Sequence, residues 1–150
     1  MKHRLAMTAV AIGLLNLSAI GASAQVAPRN YDYATVTQVT DIEVKPGQLN
    51  AYMQDLATGW RASMEEGKRA GAILSYSIEQ PLDPRPGEAN LVLVVVFKNL
   101  AAYDRPLADA EKSAATQYGS LDKAHDIAMQ RESMRKILGS EIFRQLAFTQ

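Results

Sequence analysis

Trp60, Tyr76 and Arg131 are the side chains that would do chemistry if the fold brought them to one cleft. An indole offers a flat apolar face for stacking on an aromatic ligand, and in the middle of an apolar stripe it is equally a core residue. Arg131 falls inside an apolar stripe with Ala124, Ile127, Met134 and Leu138, where a charged side chain is not expected. It could bind a carboxylate or a developing oxyanion. It could also form an internal ion pair with a strand carboxylate such as Glu79 or Glu43, or reach out to solvent. The hydroxyls of Tyr76 and Tyr52 could reach a cleft ligand or serve only in packing. Asp41 and Glu43 stand two apart on one strand face, as a carboxylate pair or as a solvated edge. His125 lies about 40° from Leu121 on the helical wheel, away from the apolar stripe, and reads as exposed. Beyond residue 24 it is the only histidine, and one histidine without a neighbouring carboxylate pattern makes neither an H-E-x-x-H site nor a three-ligand metal site. The candidate ligand-binding residues are therefore Trp60, Tyr76 and Arg131. No catalytic residue can be named, and neither a metal nor a cofactor is indicated.

Composition narrows the classes further. Sixteen basic side chains against sixteen acidic ones leave no formal charge, which excludes the basic footprint of a nucleic-acid binder. The absence of cysteine excludes disulfides, thiolate metal sites and a cysteine nucleophile. No G-x-S-x-G, phosphate loop or G-x-G-x-x-G occurs.

The first 24 residues have the form of a leader. Lys2 and Arg4 precede an uncharged run from Leu5 to Ile20, which ends at Ala22-Ser23-Ala24, an A-x-A cleavage pattern. Thr8, Asn16 and Ser18 make the run a poor membrane anchor. Arg4 stands alone, so a twin-arginine signal is not indicated. This pattern predicts cleavage after Ala24, export to the periplasm or beyond, a flexible leader over 25–32, one domain over 33–150, and no stable membrane insertion once cleaved.

The elements that must position the candidate residues follow from periodicity. Tyr33 to Val44 is rich in valine, isoleucine and threonine and predicts a strand, ended by Lys45-Pro46-Gly47. A helix follows, with Tyr52, Met53, Leu56, Trp60, Ser63, Met64 and Gly67 on one face and Asp55 among the residues opposite. Ala72 to Gln80 alternates as a second strand, with Leu74, Tyr76 and Ile78 on one side. Residues 81–90 hold three prolines and predict a hairpin loop. Leu91 to Phe97 is apolar at every position, so both faces of that third strand need cover. Asn99 is placed to cap a short turn, Pro106 opens a helical region to about Tyr118, and Ser120 is placed to cap a helix from Leu121 to Leu138 that Gly139 closes. Residues 141–149 then predict a last strand.

The order β-α-β-β-α-β predicts an α+β, ferredoxin-like fold with a four-stranded antiparallel sheet and its helices on one face. With the junction Val44-Lys45-Pro46-Gly47, Tyr52 on the helix after it and the apolar third strand, residues 33–149 resemble the dimeric α+β barrel superfamily. Its members include antibiotic-biosynthesis-type monooxygenases, haem-degrading enzymes and NIPSNAP-like proteins. The second helical region is longer here than is usual in that superfamily. The resemblance implies a homodimer, packed sheet against sheet, with a ligand cleft between sheet and helices. The expected function is binding of a small apolar or aromatic molecule. The alternatives are a cofactor-independent monooxygenase, in which Arg131 would stabilise an anion, and a structural dimer without ligand.

Overall fold

The computed structural model describes residues 28–104 and 106–149. The leader read over residues 1–24 lies outside the described residues. Four strands, β1 (Tyr31–Val44), β2 (Ile73–Glu79), β3 (Leu91–Phe97) and β4 (Arg135–Phe148), form one sheet in the order β2-β3-β1-β4. Every neighbouring pair is antiparallel. That order, with helices between β1 and β2 and between β3 and β4, is the ferredoxin-like α+β fold.

The first helical rod is continuous but not uniform. It consists of α1 (Leu49–Asp55), a π-helical turn (Leu56–Trp60) and α2 (Arg61–Arg69). Tyr52 and Leu56 are buried against Ile42, Val44, Leu91, Leu93 and Met134, with Trp60 and Ile78 packed on that cluster. Met53, expected in the buried stripe, is exposed, and Asp55, expected in water, is half-buried. The side of the rod bearing Asp55 faces the second helical layer rather than solvent, which is why a wheel with one wet face misplaces it.

That second layer is α3 (Leu107–Tyr118) and α4 (Leu121–Met134). Gly119 separates them at φ 88°, where only glycine is comfortable, and the Ser120 hydroxyl accepts the Lys123 amide at 3.1 Å. Asn99 caps the short 3₁₀ turn Leu100–Ala102 through the Ala102 amide at 3.1 Å.

Four features differ from the sequence expectation. The helix expected to reach Leu138 stops at Met134, and β4 starts at Arg135. The reason is β1: at 14 residues it offers a partner as far as Val44, which pairs with Arg135, so backbone pairing captures residues 135–138. Gly139 consequently lies inside a strand, opposite Asp41, and caps nothing. Pairing also begins earlier than expected. Tyr31 pairs with Phe148 and the Asn30 carbonyl accepts the Thr149 amide, which takes Tyr31 and Asp32 out of the leader read over 25–32. Finally, a bulge between Ile73 and Ser75 leaves Leu74 exposed and puts Ile73 in the core instead. Tyr76 and Ile78 pair with Val95 and Leu93 on the helix-covered face, as the alternation requires.

β3 shows one covered and one open face. Leu91, Leu93 and Val95 are buried under the helices, while Val92, Val94 and Val96 are only half-buried. Val39 pairs with Val94, and Phe143 lies across Thr37 from Val96. The open face thus has a valine stripe at its centre, flanked by Ser77 and Glu79 on β2 and by Asp41 and Glu43 on β1.

Candidate functional site

The π turn organises the polar chemistry. A π turn shifts the hydrogen-bond ladder by one residue, and here the Gly59 carbonyl takes a side-chain donor, the Gln117 amide at 2.6 Å. Ser63 in turn donates to Gln117 at 2.7 Å. Arg131 of α4 lies beside this link, holding Asp55 through Nε at 2.7 Å and Nη2 at 3.2 Å, with a further bond to the Tyr118 hydroxyl at 3.2 Å. The side chains of Arg131 and Asp55 are 19% and 18% exposed, so the pair is largely out of water. Burial pulls the guanidinium down, but the bonds to Asp55 and Tyr118 and the Asp55 charge more than offset it and leave Arg131 above its ordinary value.

Arg131 therefore forms the internal ion pair, but with a helix carboxylate and not with Glu79 or Glu43. A helical wheel gives the face a residue occupies, not the element across from it. The pair packs on bare backbone: a Cβ at Gly59 would sit 2.7 Å from Arg131 Nη2 and 2.9 Å from the Tyr118 hydroxyl. Gly59→Ala is expected to cost about 1–2 kcal/mol by displacing these groups, measured by urea denaturation. An unchanged midpoint would show that they yield freely.

Trp60 and Tyr76 do come together, ring edge to ring face, with centroids 5.2 Å apart and planes at 88°. The Tyr76 hydroxyl donates to Glu65 at 2.5 Å. That bond holds the Glu65 carboxyl below its ordinary value, and Glu65 in turn pushes the Tyr76 hydroxyl up. A carboxyl lowered on folding contributes stability above its unfolded value of 4.5, lost as pH falls through the lowered folded value. Tyr76→Phe should therefore lower stability at neutral pH and converge with the parent as pH falls below 4.5 through the lowered folded value, as read from urea melts from neutral to acid pH.

Two features carried weak or misleading signals in the sequence. Arg135, read as helical, opens β4 with its guanidinium 5.8 Å from the Tyr52 ring and bonded to Glu132 at 3.1 Å. Its Nε is buried without a hydrogen-bond partner among the described residues. Burial raises the Tyr52 hydroxyl above its ordinary value, against the lowering pull of Arg135 and Arg131. Asn90, placed in the hairpin loop, closes the sheet end by accepting the Val44 amide at 2.7 Å and donating to the Val44 carbonyl at 2.9 Å.

The open space lies beyond Trp60. A cleft of about 390 Å³ opens between the end of α2, the adjoining ends of β2 and β3, and the start of the second helical layer. Met64, Ile73, Phe97 and Tyr103 give it apolar walls, and Ser63 and Glu66 give it a polar side. Phe97 and Tyr103 meet edge to face at 5.4 Å. Gly67 lines it as well, and a Cβ there would come within 2.5 Å of Ile73 Cδ1, so glycine lets helix and strand approach closely. Trp60, Tyr76 and Arg131 are not among its lining residues. Ser63, Met64 and Gly67 were legible in the apolar stripe, whereas Phe97, Ala102 and Tyr103 converge on the cleft only through the turn after β3. His125 is exposed. Among the described residues no group of three or more His, Cys, Asp or Glu side chains is placed to share an ion. None of the described helices is long and apolar enough to cross a membrane.

No family model and no curated protein matches the chain. Among solved structures it is similar to HapK from Hahella chejuensis, at 11% identity over 73% of this chain and 91% of that one, with a TM-score of 0.48. It is also similar to two dimeric ferredoxin-like proteins from uncultured marine organisms. One is 13% identical over 79% of this chain and 99% of its own, and the other 8% identical over 79% and 91%, each with a TM-score of 0.49. The likeness is one of fold, which the strand order establishes independently.

Proposed function

We propose that the chain is an exported homodimeric barrel protein that holds a small apolar or aromatic molecule in the cleft between α2, the β2–β3 sheet edge and the second helical layer. The observation that carries the reading is the cleft of about 390 Å³ walled by Met64, Ile73, Phe97 and Tyr103. Its size and its mixture of apolar walls with a few polar groups are those of a small-molecule site. The half-buried stripe Val92, Val94 and Val96 supports assembly with a second copy, since a sheet face of this composition is ordinarily covered. Export rests on the charged start, apolar run and A-x-A pattern of residues 1–24. The oxygenase alternative asked Arg131 to meet an anion in the cleft, and that guanidinium is instead held by Asp55. Binding without catalysis is the reading best supported.

Titration calorimetry with 4-phenylbutyramide, a neutral aromatic probe, tests it. Saturable binding is expected, abolished by Ala102→Trp, which fills the cleft from the 3₁₀ turn. Equal affinity in the variant, or no binding by the parent protein, would leave the structural dimer as the reading.

A further inference from the structure

Beside the cleft lies a second hollow of about 320 Å³, which shares Ser63, Glu66 and Ser113 with it. Among the described residues, two cations face this hollow from different elements, Arg69 at the end of α2 and Lys112 on α3. Neither forms an ion pair with a carboxylate among the described residues: Arg69 Nε donates only to the Glu65 carbonyl, at a long 3.4 Å, and the Lys112 ammonium has no partner there. Among the described residues, Glu66 is the one acidic residue lining the hollow. The neutral polar groups beside it are already engaged, Gln117 on the Gly59 carbonyl and the Thr116 hydroxyl on the Lys112 carbonyl. An apolar chamber thus adjoins a polar mouth where, among the described lining residues, two cations outnumber one anion.

From this arrangement, and resting on the cleft-binding reading, we infer that the molecule bound is a carboxylate with an apolar or aromatic body: the body lies against Met64, Ile73, Phe97 and Tyr103, and the carboxylate meets Arg69 and Lys112. A carboxylate gains charge-assisted hydrogen bonds at this mouth that a neutral isostere lacks.

The test compares 4-phenylbutyrate with 4-phenylbutyramide, which share ring and chain and differ in charge, by calorimetry on the whole exported protein at low ionic strength. The carboxylate is expected to bind about tenfold more tightly. The double variant Arg69→Gln, Lys112→Gln, altering two exposed side chains, should remove that advantage and leave the amide's affinity unchanged. Glu66→Gln should strengthen carboxylate binding about threefold by removing the opposing charge. Equal affinity for the two probes, or a carboxylate preference that survives the double variant, would overturn this inference and leave the cleft standing as an apolar site. Failure of both probes to bind would overturn the cleft itself.

Discussion

Arg131→Met is expected to destabilise the fold by about 2–3 kcal/mol, because it strands the Asp55 carboxylate in a site that water scarcely reaches. The size follows from an asymmetry: removing one partner of a buried pair leaves a desolvated charge, while removing both leaves an apolar contact of similar shape. Asp55→Leu together with Arg131→Met should accordingly recover most of the loss, and equilibrium urea denaturation of the two single variants and the double variant gives the coupling energy directly. If Arg131→Met alone is within 0.5 kcal/mol of the parent, the threshold of an ordinary surface change, the tie between the helical layers is not structural. Probe binding in the stable double variant completes the assignment. Unchanged affinity there makes Arg131 a brace between α1 and α4, whereas loss of affinity would return it to the binding site.

Val94→Asp should convert the proposed dimer to a folded monomer. Val94 sits at the centre of the open face, between Val39 and Ser77, and in a two-fold assembly each substitution places two carboxylates in one interface. Burying an unpaired carboxylate costs several kcal/mol, more than a modest interface supplies in surplus. Native mass spectrometry should show the parent at twice the subunit mass and the variant at once, with unchanged far-ultraviolet circular dichroism. The same spectrum of the parent reads the mass of any molecule it retains. A monomeric parent, or a variant that stays dimeric, would place the contact elsewhere, for example along the exposed ribbon where Leu146 and Phe148 are 56% and 85% exposed.

The strands, the first rod and the caps at Asn99 and Ser120 were legible because their causes are local: alternation, 3.6-residue periodicity, and a hydroxyl or amide next to an amide. What was not legible depends on partners far along the chain. Ile137 and Leu138 suit a helix or a strand equally, and only the length of β1 decides between them. Leu74 fits the alternation of β2, and only a bulge against β3 overrides it. Arg131 was correctly placed in the apolar stripe of α4, but its counter-ion lies 76 residues away on a rod whose second packed side no single wheel reveals. The candidate site was legible in part for the same reason. Ser63, Met64 and Gly67 share a helical face, while Phe97 and Tyr103 join them only after the chain turns at Asn99.

The strand order also sets a timetable. β1 lies inside the sheet, yet both of its hydrogen-bonded neighbours come later in the chain, β3 from Leu91 and β4 from Arg135. Its first described partnership, Tyr31 with Phe148, joins opposite ends of the described chain. Such distant pairings close slowly, because the intervening loop must be ordered before any contact repays it. A chain emerging from its amino terminus cannot complete this sheet until its last strand is free. Under the export proposed above, final closure of the sheet would follow the passage of β4.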